Sequence, residues 1–322
     1  MIWAITFSNQ NYKRSAKLNE ISAKVFGGAD KTIIYSPNDF DEKFVESNKS
    51  LLAEKRGAGY WAWKPYIIKK TLEKCKEGDY VMYLDAGAFY VRKIKHLINN
   101  MENVGETVFL SSMILPNKDW CKRDAFVKCG CDETACIYGH QVEASYILVK
   151  KNIRTMSFLD RWQKYCLDWQ VNTDQDNILG KENYNGFREN RHDQTALSLA
   201  AYREGIIPHR GFSDSSEYRI YKKRLDEWGC WGYSESELQQ LAYEEYSSCG
   251  FKESTYKRII VNCRARNQKM LPFLNVVFHS IKNAIEVDMK RESDIVYITD
   301  KYSVRGGGGG EDISCSRRLK GK

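Results

Sequence analysis

Tyr80-Val81-Met82-Tyr83-Leu84-Asp85-Ala86-Gly87 opens with five apolar or aromatic side chains and closes on an acid followed by two of the smallest residues. A continuous apolar run of this kind has no solvated face, which is the pattern of a strand buried on both sides within a parallel sheet. Upstream, Ile2 to Phe7 is β-prone, a helical pattern runs from Lys13 to Phe26 and stops at Gly27-Gly28, and Lys31 to Tyr35 is a second short strand. Ser36-Pro37-Asn38-Asp39 is a turn, and Tyr66 to Cys75 is helical. Downstream, Val108 to Met113 and Ser145 to Val149 are expected strands, and Met156 to Asp168 and Asp193 to Glu204 expected helices. Strands alternating with helices predict an α/β fold with helices on both faces of the sheet. Pro116 to His140 is too long for a simple connection and is expected to carry its own structure or a functional loop.

The chain has 322 residues, 42% hydrophobic and 29% charged, an ordinary globular composition. With 5 prolines and 22 glycines it is neither fibrous nor low-complexity. It contains no run of about 18 apolar residues, so no spanning helix is expected. The start, MIWAITFSNQNYKRS, has no basic region ahead of its apolar stretch and reads as a first strand rather than a signal peptide. Without such a signal the 10 cysteines are expected to be mostly reduced and the protein cytoplasmic. The net charge of +8 is uneven: from Phe251 onward 15 Lys and Arg face 8 Asp and Glu, a net of +7, which leaves +1 for the preceding 250 residues. A nucleic-acid-binding protein would interleave cations with aromatics across its fold, so no nucleic-acid partner is expected. Leu271, Leu274, Phe278, Ile281 and Ile285 share one helical face. That face either packs on the catalytic domain or, with its cations, lies peripherally on an anionic membrane surface. Gly306 to Gly310 is a flexible linker into a basic tail. The expected organisation is a catalytic domain over 1–215, a mostly helical extension over 216–303 and a tail over 304–322.

Three stretches carry chemistry. Asp85, followed by Ala86 and Gly87, sits at the C-terminal end of the central strand, where open α/β sheets bind ligands; the alternative is an acid that caps the next turn. In Arg56-Gly57-Ala58-Gly59-Tyr60-Trp61-Ala62-Trp63-Lys64-Pro65-Tyr66, two glycines permit a tight turn. Its cations beside flat rings suit an anionic ligand with a planar base, and the alternative is a buried aromatic anchor. Arg191-His192-Asp193-Gln194-Thr195 opens an apolar helix, either as a cap favoured by the helix dipole or as a carboxylate and an amide aimed into a cleft.

Taken in chain order, Gly59-Tyr60-Trp61-Ala62-Trp63-Lys64-Pro65, Tyr83-Leu84-Asp85-Ala86-Gly87 and Arg191-His192-Asp193-Gln194-Thr195 resemble the motifs of the bacterial and viral capsule and surface-glycan glycosyltransferases and, more distantly, of glycosyltransferase family 8, over roughly residues 1 to 215. The resemblance implies a GT-A-like, Rossmann-type nucleotide-sugar-binding domain, a nucleotide-sugar donor, a glycan or lipid-linked acceptor, and Mn²⁺ or Mg²⁺ as cofactor. It places Asp85 at the second acid of the Asp-x-Asp metal motif, with Tyr83 in place of the first. It assigns Lys64 to the donor phosphates with Arg56 as a further candidate, and puts Asp193 and Gln194 at the reacting sugar. Tyr83, Ala86, Gly87, Arg123 and Asp124 are then expected on the donor side, and Gln141, Glu143 and His192 on the acceptor side. A late histidine, His209, is a candidate second metal ligand, against a structural role. A carboxylate-held divalent cation would stabilise the departing diphosphate.

A nucleotidyltransferase would want a glycine-rich loop after the first strand, and Ser8-Asn9-Gln10-Asn11 is not one. Cys121, Cys129, Cys131 and Cys136 with His140 invite a zinc reading, but their spacing lacks the paired knuckle of a structural site.

Overall fold

The structure is a computed structural model that describes residues 1–90, 93–103, 105–206, 208–210 and 260–262. Its centre is a five-stranded sheet in the order β2-β1-β3-β8-β5, built from β1 (Ile2–Phe7), β2 (Lys31–Tyr35), β3 (Tyr80–Leu84), β5 (Val108–Phe109) and β8 (Tyr146–Lys150). β1 runs parallel to both β2 and β3, with Ile5 opposite Ile33 and Tyr83. The helix Lys13–Val25 makes the crossover from β1 to β2, and the helix Trp63–Glu73 leads back toward β3.

Two-residue periodicity divides the core between the faces. Trp3, Ile5, Phe7, Val81, Tyr83, Ile147 and Val149 pack on one side with Ile67, Leu72, Phe158 and Trp162 of the helices Trp63–Glu73 and Ile153–Cys166. Ala4, Tyr80, Met82, Leu84, Tyr146 and Leu148 pack on the other with Ala23, Leu97 and Met101. Every residue of β3 is buried, so both faces are covered as the apolar run predicted. The sheet is nevertheless mixed: β8 is antiparallel to β3, and β5 antiparallel to β8. An apolar run reports that both faces are covered and is silent on the direction of the neighbouring strand, so β3 can lie parallel to β1 on one side and antiparallel to β8 on the other.

The expected strand Val108 to Met113 is in fact two. β5 ends at Phe109 in the main sheet, and after Leu110 the chain enters β6 (Ser111–Pro116) in a three-stranded sheet with β7 (His140–Val142) and β9 (His209–Arg210). β6 pairs antiparallel with β7 across a register shift and parallel with β9. β4 (Ala88–Tyr90) pairs antiparallel with β10 (Ile260–Asn262). Between β6 and β7, the long polar stretch folds into three short helices, Asn117–Trp120, Arg123–Cys129 and Thr134–Ile137. The helix expected from Tyr66 begins at Trp63, because Pro65 falls in its first turn, where a missing N–H costs nothing.

Cys121, Cys129, Cys131, Cys136 and Cys166 are free and buried. Burial pushes the Cys121 thiol up to about 12, so it is an inert core side chain. Among the described residues no three His, Cys, Asp or Glu side chains group to hold a metal ion, and no helix is long and apolar enough to cross a membrane. The apolar helical face 271–285, the glycine run and the divisions at 216–303 and 304–322 lie outside the described residues, apart from the strand Ile260–Asn262.

Candidate functional site

β3 ends at Leu84, and the chain turns at once: the Asp85 N–H donates to Ser145 O (2.8 Å), and the Ala88 N–H to Asp85 O (3.0 Å). Alternation along the strand places Tyr83 and Asp85 on one side. The Tyr83 hydroxyl donates to Asp85 Oδ1 at 2.5 Å. Burial, reinforced by the Asp85 charge, holds the Tyr83 phenol well above its ordinary value, so it stays a donor. The Asp85 side chain itself is 40% exposed.

Lys64 arrives from the opposite element. Its N–H donates to Trp61 O (3.0 Å) at the start of the helix Trp63–Glu73, and its stem runs inward until only 3% of the side chain is exposed. Nζ lies 2.6 Å from Asp193 Oδ2, 2.9 Å from Ala144 O, 3.4 Å from Asp85 Oδ1 and 5.2 Å from the centroid of the Tyr83 ring. Burial opposes the ammonium form, but the Asp193 and Asp85 carboxylates outweigh it and raise the Lys64 pKa above its usual value. Lys64 is therefore a charged group inside the protein that joins the second and third motifs, rather than an exposed cation.

Asp193 is the first residue of the helix Asp193–Arg203, where the dipole favours a carboxylate. Trp162 Nε1–H anchors it by donating to Asp193 O (3.1 Å). Burial, only partly offset by Lys64, takes the Asp193 carboxyl up to about 6. A carboxyl whose native pKa lies above its unfolded value contributes most to stability below about pH 4, and the contribution is lost as pH rises through about 6. The stability of the wild type relative to Asp193→Asn should accordingly fall by up to about 3 kcal/mol between pH 4 and pH 7 in paired denaturant titrations. A difference independent of pH would show that the carboxyl is not held this way.

Gln194 Nε2 donates to Gln141 Oε1 (3.0 Å), and Gln141 Nε2 donates to Asn117 Oδ1 (2.8 Å) and Cys121 Sγ (3.0 Å). Gln141 is fully buried and lies beneath Gln194. Ser145 Oγ donates to Glu143, which is itself buried beside the Lys64-bound Ala144. His192 Nε2–H donates to Asp174 Oδ1 (2.9 Å); burial moves its pKa below the usual imidazole value, leaving a neutral ring. Arg56 Nη1 donates to the other oxygen of Asp174 at 3.0 Å. Ala86 is buried and Gly87 half-buried after the turn.

Arg123 and Asp124 fasten the segment 177–184. Asp124 accepts N–H bonds from Ile178 (2.7 Å) and Leu179 (3.3 Å). The Arg123 guanidinium sits 3.9 Å over the Tyr184 ring and pairs with Asp132 (3.0 Å), which also accepts from Lys181 and Tyr184. His209 lies on β9, opposite Ser111 by register in the smaller sheet.

The motif readings included the tight turn at Gly57 and Gly59 but not Asp174, nor the left-handed backbone of the turn's non-glycine residues. Among the described residues, the non-glycine residues with positive φ are Ala58, Tyr60, Trp61 and His192. A glycine pair signals a turn, but no side-chain pattern signals that its non-glycine neighbours are left-handed as well. A Cβ on Gly57 would come within 2.4 Å of the Trp61 ring, and one on Gly59 within 2.9 Å of Leu52 Cα, so this turn requires both glycines.

For a divalent cation, Asp85 is the protein ligand that this cluster offers, since the Asp193 oxygen at 2.6 Å is already paired with Lys64. One carboxylate suits an Mg²⁺ or Mn²⁺ ion whose other ligands are water and substrate phosphates.

No protein-family model matches the chain, and no curated protein matches it. Solved structures similar in chain trace include the following two. Mouse xyloside xylosyltransferase 1 in its apo form is 10% identical, over 72% of this chain and 93% of its own, with a TM-score of 0.39. PaToxG glycosyltransferase is 12% identical, over 77% of this chain and 84% of its own, with a TM-score of 0.33.

Proposed function

We propose that this protein is a glycosyltransferase that moves a sugar from a nucleotide-sugar donor to a glycan or lipid-linked acceptor. The observation that carries the reading is the convergence of three sequence-distant motifs at the C-terminal end of β3: Lys64 Nζ stands 2.6 Å from Asp193 and 3.4 Å from Asp85. These are the motifs that resemble the surface-glycan glycosyltransferases, which is why synthesis of surface polysaccharide or glycoprotein glycans is the pathway we favour.

In this reading the half-exposed Asp85 faces the donor diphosphate, beside Ala86 and Gly87, which are small enough to admit it. Asp193 and Gln194, at the mouth of their helix, orient hydroxyls of the reacting sugar. As the bond from sugar C1 to the diphosphate oxygen breaks, the nucleoside diphosphate departs with the electron pair. The acceptor oxygen forms the new bond to C1 and passes its proton to the departing phosphate oxygen. Lys64 holds the two carboxylates in register, and its positive charge offsets theirs, which would otherwise repel the departing diphosphate. Bound Mn²⁺ or Mg²⁺, held through Asp85, would supply Lewis-acid stabilisation of the same group.

The test is a thermal-shift panel of nucleoside-diphosphate sugars with and without Mn²⁺, followed by assay of released nucleoside diphosphate. A bound donor stabilises by mass action, by about 2.7 kcal/mol at a hundred times Kd. At least one donor should raise the melting temperature and be consumed when acceptor glycan is added. A panel in which no donor shifts the melting temperature and none is turned over would remove this function.

A further inference from the structure

We infer that Asp174 is a positioning residue for the Lys64–Asp193 pair, holding together two strained turns that deliver those side chains. The inference rests on the glycosyl-transfer reading for its kinetic consequence but not for its structural one.

His192 has φ 56° and ψ −121°, a conformation that glycine adopts and other residues resist. It immediately precedes Asp193. Trp61, three residues before Lys64, has φ 57°, Tyr60 φ 50° and Ala58 φ 52°. The two strained places are in contact: the buried His192 ring stacks on Tyr60 (centroids 5.0 Å apart, planes at 24°) and lies 5.6 Å from Trp61. Strain of this kind persists only where surrounding contacts over-determine it.

Asp174 reaches both sides. One oxygen accepts from the His192 ring at 2.9 Å, and the other accepts from Arg56 at 3.0 Å, the residue that enters the Gly57–Tyr60 turn. Its neighbour Asn172 adds Nδ2–H to Tyr60 O at 3.1 Å. Asn190 ties the far end of the segment 174–190 back to its start by donating to Val171 O (2.9 Å) and Thr173 O (3.2 Å). Removing Asp174 takes away the hydrogen-bond partner of the His192 ring and leaves Arg56 with its 3.8 Å approach to Glu189, so the two turns lose their shared tie and the backbone at 192 can relax to negative φ and carry Asp193 away from Lys64. Displacements of about 1 Å in a positioned group cost on the order of 10²-fold in rate.

Asp174→Ala and Asp174→Asn test this beside the wild type, by melting temperature, crystal structure, and kcat and KM for whichever donor the wild-type enzyme consumes. Asp174 is 40% exposed, so both variants should melt within a few degrees of wild type. Asp174→Ala should show His192 at negative φ, a Lys64–Asp193 separation beyond 4 Å, and kcat down about 10- to 100-fold with donor KM within about 2-fold. Asp174→Asn keeps an acceptor for the His192 ring but turns an amide toward Arg56, and should fall between; it also serves if the alanine variant does not fold. An unchanged His192 backbone and Lys64–Asp193 distance overturns the inference, whatever the kinetics. So does wild-type kcat in both variants. If the wild-type protein transfers no sugar, the proposed function fails, and the crystal structures of the variants alone decide the positioning role.

Discussion

Lys64→Met should lower the stability of the protein by about 3–5 kcal/mol near neutral pH and abolish turnover. Methionine fills nearly the same space, so packing against the Tyr83 ring is kept and the change is chiefly electrostatic. Asp193 would remain buried with its counter-charge gone, and Ala144 O would lose its donor. With Lys64 present, burial already lifts the Asp193 carboxyl to about 6. Without it the carboxyl rises further and carries a proton at neutral pH, so it no longer acts as a charged acceptor toward substrate hydroxyls. The loss of stability should be small at pH 4 to 5, where Asp193 is protonated in either protein, and grow as pH rises, because ionising an unpaired buried acid opposes folding. Denaturant titrations across that range read the effect. The double variant Lys64→Met, Asp193→Leu should regain most of the stability, since removing both partners of a buried pair is often neutral, yet remain inactive. A single variant as stable as wild type at pH 8 would mean that the 2.6 Å pair contributes nothing to the folded state.

Asp85→Asn should behave in the opposite way, with little loss of stability and a large loss of rate. The side chain is half-exposed, its 3.4 Å approach to Lys64 is screened by solvent, and the asparagine carbonyl still accepts from Tyr83. Stability should change by less than about 1 kcal/mol. Turnover should fall about 10²- to 10³-fold, the usual effect of removing one pre-placed electrostatic group from a reacting centre. Any stimulation of donor binding by Mn²⁺ should disappear with it. Single-turnover kinetics on folded protein, with the melting temperature measured on the same sample, separate the two effects. Wild-type rates in a folded Asp85→Asn enzyme would take Asp85 out of the chemistry.

These two outcomes differ because of where two charges of the same cluster lie, one sealed and one half-open, and the sequence contains no sign of that difference. Lys64 was read as a cation that reaches donor phosphates. In the fold its charge is spent within the protein, on Asp193, Asp85 and Ala144 O, because the helix Trp63–Glu73 lies flat against the sheet with Phe7 stacked 3.7 Å from Trp63. Gln141 was read as an acceptor contact and is buried under Gln194; Arg123 and Asp124 were read on the donor side and make their bonds to the segment 177–184 and to Asp132.

What the sequence determined by itself is whatever depends on near neighbours in the chain. The two-residue alternation of β1, β3 and β8 divided the core between the faces of the sheet, and the apolar stripes and glycine stops marked the helices. The acid after Leu84 and the acid opening the helix Asp193–Arg203 sat at element ends, where a backbone presents side chains to a cleft. Tertiary structure alone decided the direction of β8 beside β3, the burial of Lys64 between two acids, and the bridge that Asp174 makes from Arg56 to His192 across 118 and 18 residues of chain. Periodicity records only whether a side chain is buried, a property of one position and its immediate turn or strand. Strand direction, ion pairing and the left-handed backbone at His192 depend on which distant segment arrives at that position, and that is set by the path of the whole chain.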